Sequence, residues 1–273
     1  MTSINSLSYV PPVYTQQKAS GARPLLTKIQ EIAARCFFSN SFQMLMMLGA
    51  LAGSVTLLAL CQVPTVILTA SLITSTALIA LGSYIVVNRK KIVYELTLFA
   101  TLVLGVFKIN PWWHSISPGI YLGAIPLKNY AHHEQITKKL GVKAVLSMLE
   151  DFEFSTPGVF SVPCATADWD LLGVKHHVIS ATDFHAVPLV SIEQGVAFLE
   201  EQNRLGVDCY VHCKAGASRS ATIVLAYLLK KGVVSSVAEG IKFLKKQRPL
   251  IFIPQDAQKN LELFFQKYQS KHE

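Results

Sequence analysis

The residues that read most directly as chemistry lie in one stretch, Val211-His212-Cys213-Lys214-Ala215-Gly216-Ala217-Ser218-Arg219-Ser220. Five residues separate Cys213 from Arg219, with a histidine before the cysteine, a glycine between the two and a serine after the arginine. An apolar run (Cys209, Tyr210, Val211) leads in, and Ile223, Val224, Tyr227 and Leu228 follow at helical spacing up to Gly232. That order predicts strand, loop, helix. A cysteine at the mouth of such a loop is where a thiolate is stabilised, because backbone N–H groups and the helix dipole favour negative charge and Arg219 adds a fixed cation. The same loop suits a phosphate. Residues Lys214, Ala215, Gly216, Ala217, Ser218 and Arg219 would turn N–H groups inward, Gly216 permits the tight turn, and Arg219 can grip two oxygens. A nucleophile and its anionic target would share one nest. The alternative is a buried cysteine in a strand-turn-helix, with Arg219 solvated at the helix start.

Cleavage of a phosphate ester by a thiolate needs a proton donor for the leaving oxygen. Asp183 is the best placed, at the predicted exit of a strand and 30 residues before Cys213. Asp168 and Asp170 also sit in loop sequence and stay open as alternatives. Ser220 is placed to hydrogen-bond the sulfur as it leaves a phosphocysteine intermediate, and His212 reads as orienting the loop rather than moving protons. The pairs His132-His133 and His176-His177 read as surface or packing histidines, and neither has metal-ligand spacing. No metal and no cofactor are expected. The five cysteines, Cys36, Cys61, Cys164, Cys209 and Cys213, match neither a disulfide framework nor a zinc site. A catalytic thiolate has to stay reduced, which favours a reducing compartment.

The elements that must position these residues lie in 112–273, 162 residues and an ordinary domain size. Apolar, β-rich runs at Ile120–Ile125, Ala144–Met148, His177–Ile179 and Cys209–His212 predict strands. Helical patterns alternate with them: one capped by Asn129 and ending at Leu140-Gly141, two opened by capping-box sequences at Ser191–Gln194 and Ser236–Glu239, and a last one after Pro254. Glu150–Gly173 reads as an irregular surface loop.

Ahead of that domain the composition changes. Charged residues are only 15% of the chain and mean hydropathy is +0.37, low in charge for a soluble domain. Residues 1–111 carry eight Lys/Arg against two acids, whereas 112–273 are nearly balanced. A basic excess flanking apolar sequence points to an anionic membrane surface; no nucleic-acid motif is present. Residues 1–41 form a basic leader, disordered over 1–24 and then amphipathic, with some likeness to a transit peptide. Phe42–Cys61 and Thr65–Val87 are uncharged runs of 20 and 23 residues, each long enough for a bilayer core of about 30 Å. With only Gln62-Val63-Pro64 between them they predict a transmembrane hairpin, the alternative being a buried hairpin in a soluble core. Basic residues at both ends place those ends on the cytoplasmic side, or in the mitochondrial matrix if the leader is a transit sequence. A third apolar run at 92–107 contains Glu95 and is short for a span, so it reads as an interfacial or partly embedded helix holding the catalytic domain to the bilayer; the alternative is a further span, which would put the catalytic domain on the other side. The anchor region is thus 42–108. Trp112 and Trp113 suit either a membrane interface or the edge of the core. Nothing in the sequence fixes an oligomeric state.

The loop resembles the signature of cysteine-dependent phosphatases, and the domain has the size of a dual-specificity phosphatase. Within that group it looks most like the phosphatidylglycerophosphate phosphatases of the mitochondrial protein-tyrosine-phosphatase type. The matching stretches are Trp113, Ile120–Leu127, Ala181-Thr182-Asp183, Glu193–Phe198, His212–Gly216, Ser218-Arg219-Ser220, Arg248-Pro249 and Gln255. The resemblance implies an α/β protein-tyrosine-phosphatase fold with a central sheet flanked by helices. It also implies Cys213 as nucleophile, Arg219 as phosphate clamp and Asp183 as general acid. One departure is Ala217, where relatives acting on acidic lipids often carry a basic residue. The expected function is a membrane-anchored phosphatase acting on a phospholipid, phosphatidylglycerophosphate first and phosphoinositides second. A dual-specificity protein phosphatase, with a phosphoprotein as partner, and a silent phosphate-binding module of the same fold are the alternatives.

Overall fold

The computed structural model describes residues 65–107, 109–155, 158 and 161–270. The basic leader and the first apolar run, 42–61, lie outside the described residues. The chain divides into two compact units, Met1–Val87 and Asn88–Glu273. In the first, α1 spans Thr65–Val87, the bounds of the second apolar run. Its Thr69–Val87 part is long and apolar enough to cross a membrane by length and composition.

The second unit is a mixed α/β domain around a five-stranded sheet in the order β1-β2-β5-β3-β4. The strands are β1 (Trp113–Ser117), β2 (Ile120–Gly123), β3 (Ala144–Leu149), β4 (Lys175–Ser180) and β5 (Cys209–His212). Only β1 runs antiparallel; β2, β5, β3 and β4 are mutually parallel. A parallel sheet needs both faces covered, and the central β3 is buried at every position. On one face lie α6 (Leu189–Arg204), α7 (Arg219–Lys230), α8 (Val237–Gln247) and α9 (Gln255–Gln269), sharing one apolar cluster with Leu122, Leu146, Met148 and Val211 of the sheet. On the other, α3 (His132–Lys139) and α5 (Thr166–Asp170) bring Ile136 and Trp169 against Val145 and Tyr210. Strand β1, which the sequence does not suggest, is short and only part-buried, and its Trp113-His114-Ser115-Ile116-Ser117 alternates weakly.

Three local readings are corrected. The chain does not cap a helix at Asn129: a single 3-10 turn (Lys128–Tyr130) and the left-handed Ala131 (φ 53°) precede α3. Asn129 instead accepts a hydrogen bond from the Val162 N–H at 3.0 Å. Helix α6 starts at Leu189 behind Pro188, so Ser191 is buried in its first turn rather than capping it. Glu150–Gly173 is not a surface loop throughout. It contains the one-turn helix α4 (Asp151–Ser155), with Glu153 buried, and α5, with Trp169 buried. By contrast Ser236 caps α8 as its sequence predicts, accepting from the Glu239 N–H at 3.2 Å.

The third apolar run forms α2 (Arg89–Val106), one side of which is built into the second unit. Tyr94, Leu98 and Leu102 cluster with Ile125 and Leu127, just beyond the C-terminal end of β2, with Leu149, the last residue of β3, and with Trp112, Phe152 and Phe154. Its other side leaves Leu96, Phe99 and Val106 exposed. Trp112 and Trp113 belong to the core edge, and the Trp112 indole donates to the Ile125 carbonyl at 3.1 Å.

Candidate active site

In an open parallel sheet the carboxyl ends of the strands form the crevice where ligands bind. Here the stretch from Cys213 to Ser218 leaves the end of β5 and enters α7 at Arg219. The backbone accounting explains its shape, because every carbonyl in the loop is held by a donor from outside it. The Cys213 carbonyl is contacted by His212 Nδ1 at 3.2 Å. Those of Lys214, Ala217 and Ser218 accept from the backbone N–H groups of Ile125 (3.1 Å), Phe252 (2.9 Å) and Thr222 (2.8 Å). The Ala215 and Gly216 carbonyls accept from Arg248, through Nη2 at 2.9 Å and Nε at 2.8 Å. With the carbonyls turned out, the N–H groups are left to form an anion-binding concavity. Gly216 has φ +63° and lies so close to β2 that a Cβ would meet the Gly123 carbonyl oxygen at 2.2 Å. The turn therefore demands glycine twice over, for its dihedral and for its clearance.

Cys213 is buried at the floor of this loop. Burial alone would raise its thiol, but the Arg219 charge and hydrogen bonds from Ser220 outweigh it and hold the thiol below its usual value. The Ser220 hydroxyl donates to Cys213 Sγ at 3.2 Å. Arg219 is 1% exposed. Its Nη1 and Nη2 donate to the two Glu153 carboxylate oxygens at 2.6 and 3.0 Å, and Nη1 also donates to the Ala181 carbonyl at 2.8 Å. The Arg219 Nε is buried and has no hydrogen-bond partner among the described residues. One edge of the guanidinium is thus locked by Glu153, while its Nε side presents a buried donor that no described residue satisfies.

Asp183, just past the end of β4, reaches the same place. Its carboxylate pairs with Arg219 Nη2 at 3.2 Å and with Lys214 Nζ. Burial opposes its ionisation, but Lys214 and Arg219 hold its carboxyl below the usual carboxylate range. Asp168 and Asp170 do not take this role. Asp168 caps α5 through the Ala165 N–H (2.8 Å) and pairs with Lys128 (2.7 Å), and Asp170 sits exposed at the end of α5. The Lys214 ammonium lies between two aromatic rings, 5.0 Å from the Phe184 centroid and 5.9 Å from that of Tyr94 on α2. The Tyr94 hydroxyl also donates to the Glu153 carbonyl at 3.4 Å. His212 is fully buried, and burial drops its pKa to about 3, so it stays neutral.

The structure thus brings together Cys213, Lys214, Arg219, Ser220 and Asp183, the set expected from sequence. It adds Glu153, Arg248 and Tyr94. Glu153 sits between Phe152 and Phe154, and an acid flanked by two aromatics just past a strand is the signal that marks it, shared with its acidic neighbours Glu150 and Asp151. Arg248 is fully buried yet makes four polar contacts, also reaching the Pro111 carbonyl (3.0 Å) and His114 Nδ1 (2.9 Å).

Residues 120–267 match the family model of the dual specificity phosphatase catalytic domain. This chain belongs to the dual-specificity phosphatase family. It is 34% identical over 180 residues to the human phosphatidylglycerophosphatase and protein-tyrosine phosphatase 1, covering 66% of this chain and 84% of that protein. To the Arabidopsis thaliana phosphatidylglycerophosphate phosphatase PTPMT2 it is 30% identical over 178 residues, covering 64% and 72%. Among solved structures it resembles the crystal structure of PTPMT1 in complex with PI(5)P, with a TM-score of 0.53 and 31% identity over 59% of this chain and 99% of that one. As a member of the dual-specificity phosphatase family the chain is a cysteine-dependent phosphoric monoester hydrolase.

Proposed function

We propose that this phosphatase acts on a phospholipid carrying a terminal phosphate monoester, phosphatidylglycerophosphate before phosphoinositides. The observation that carries the reaction is the shared nest: a buried thiol held acidic by Arg219 and Ser220, beneath a loop whose carbonyls are all tied outward. Cys213 is the nucleophile, and its sulfur attacks phosphorus as the ester oxygen leaves. Arg219 binds two phosphate oxygens through Nε and Nη2, its far edge being fixed by Glu153. Asp183 protonates the leaving oxygen. Its carboxyl is held ionised by Lys214 and Arg219. A phosphate dianion arriving there shares those cations and drives the carboxyl toward its protonated form, so the acid is made ready by the substrate it serves. Ser220 stabilises the sulfur as water releases phosphate from the phosphocysteine.

The lipid assignment rests on the names of the human and Arabidopsis relatives, on the phosphoinositide in the PTPMT1 complex, and on α1. We also propose that α1 and the run 42–61 form a hairpin anchor, that the exposed side of α2 lies at the interface, and that 112–273 with the inner side of α2 makes up the catalytic body. The ends of the hairpin then face the cytoplasm or the mitochondrial matrix. Ala217 keeps the loop less cationic than a doubly anionic headgroup would favour, and Lys214 supplies the nearby charge. A phosphoprotein substrate is the second reading, supported by the double name of the human relative.

The test is phosphate release by the full chain in liposomes from phosphatidylglycerophosphate, a phosphoinositide panel and phosphotyrosine peptides. Preference for one lipid, abolished by Cys213→Ser, supports the proposal; preference for peptides overturns the lipid assignment. Turnover retained by Cys213→Ser would remove the mechanism.

A further inference from the structure

Three neighbouring strands carry polar side chains on one face of the sheet, where the core is otherwise apolar. Ser147 of β3 is in register with His212 of β5 on one side and with Val178 of β4 on the other. His176, two residues before Val178, therefore shares that face. The side chains meet: Ser147 Oγ is 2.6 Å from His212 Nε2 and 2.8 Å from His176 Nε2, and His176 Nδ1 is 3.0 Å from Thr166 Oγ1 at the surface.

The directions of these bonds follow from one fixed point. The Cys213 carbonyl can only accept, so His212 Nδ1 carries the proton. His212 is neutral, so its Nε2 must accept, and the single Ser147 hydroxyl proton goes there. Ser147 Oγ can then only accept from His176 Nε2–H, and His176 Nδ1 accepts from the Thr166 hydroxyl. Four hydrogen bonds run in one direction, from the surface to the first peptide of the catalytic loop. The other loop carbonyls are held by backbone N–H groups or by Arg248, which cannot change roles. His212 alone has a choice of tautomer.

We infer that Ser147 and His176 are positioning residues for the phosphatase reaction, fixing His212 as the donor to the Cys213 carbonyl and so holding the loop peptide next to the thiolate. This rests on Cys213 being the nucleophile. Without Ser147 the His212 Nε2 loses its partner and the ring its anchor, so the Nδ1–H is held less firmly against the Cys213 carbonyl and the start of the loop loosens. The charged and titratable neighbours are few. Cys213 faces Arg219 and Asp183, with Arg248 and Tyr210 beyond them; His212 faces His176 and Arg219 and packs against the Tyr210 ring at 5.7 Å; His176 faces Asp170 and His177, with the Phe154 and Trp169 rings each 6.1 Å away.

The test reads the thiolate directly, through the pH dependence of Cys213 alkylation by iodoacetamide in the full chain, beside kcat and KM. Losing one net hydrogen bond of ordinary strength predicts that Ser147→Ala raises the alkylation midpoint by about 0.7 pH unit and lowers kcat about fivefold, with KM little changed. Ser147→Thr keeps the hydroxyl and restores both. His176→Leu shifts both in the direction of Ser147→Ala, His176→Gln restores a donor, and the Ser147→Ala, His176→Leu double variant is no worse than Ser147→Ala alone. Thermal melting of each variant separates this from misfolding, since a purely structural role lowers Tm without moving the alkylation midpoint. An unmoved midpoint in folded Ser147→Ala, or a His176→Gln variant as impaired as His176→Leu, overturns the inference. Cys213→Ser as a control distinguishes that failure from failure of the nucleophile assignment, because only the latter leaves Cys213→Ser active.

Discussion

At the scale of the residue, the site is a set of opposing charges held apart from water. Arg219 and Glu153 are each 1% exposed, and burying such a pair repays its desolvation only when the geometry is good. The two-pronged contact at 2.6 and 3.0 Å meets that condition and fixes which edge of the guanidinium stays available. Replacing Glu153 by Gln removes the nearer and more deeply buried of the two carboxylates that pair with Arg219 and leaves only Asp183. The expected result is a loss of about 3 kcal/mol in unfolding free energy. Vanadate affinity should fall at least about tenfold as Arg219 swings toward Asp183. Urea unfolding and vanadate titration check the two effects. A variant that binds vanadate normally would show that Glu153 serves stability alone.

At the scale of the element, the loop depends on what surrounds it. Arg248 follows α8 and binds two loop carbonyls, the Pro111 carbonyl and His114. Burial lowers its pKa to about 10, still charged at neutral pH. Arg248→Met strands four polar groups at once, so stability should fall by at least about 3 kcal/mol. Arg248→Lys should rescue little, because an ammonium lacks the planar fork that reaches Ala215 and Gly216 together. Chemical denaturation together with phosphate release measures both. These dependences explain what was legible in the sequence. Cys213, Arg219 and Ser220 lie within one short motif, and β5, β3 and α9 follow from apolar periodicity, so all could be read directly. Asp183 needed only a strand end. Glu153 was missed because a single helical turn is too short to show a period, and 150–173 therefore read as loop. Ser147 and His176 could not be read because their meaning arises from register between strands, which no local pattern encodes. The start of α6 was misplaced by a capping box that Pro188 overrides.

At the scale of the whole molecule, neutral buried histidines tie stability to pH. Burial lowers His114, His132 and His176 from 6.5 to about 4 and His212 to about 3. Between those values and 6.5 the unfolded chain binds more protons than the folded one, so stability falls as pH drops through this window and is level above it. Asp183, held below its normal value, adds a further loss at lower pH still. Urea midpoints between pH 4 and pH 8 should show a plateau above about 6.5 and a decline below it. A midpoint independent of pH across that range would mean that these histidines take up protons while the fold remains intact.

The outward ties of the loop carbonyls have a consequence for how the protein is made. The donors come from Ile125, Thr222, Arg248 and Phe252, on both sides of the motif in sequence. A ribosome that has just added Ser220 has written the whole signature, but Arg248 and Phe252 do not yet exist. Domains fold as units once enough chain has emerged, so the nascent polypeptide passes through a stage in which it carries the thiol without the contacts that shape the loop around it. The shaped loop waits for those later residues, and a message truncated ahead of codon 248 yields every residue of the motif without the donors that hold its Ala215, Gly216 and Ala217 carbonyls.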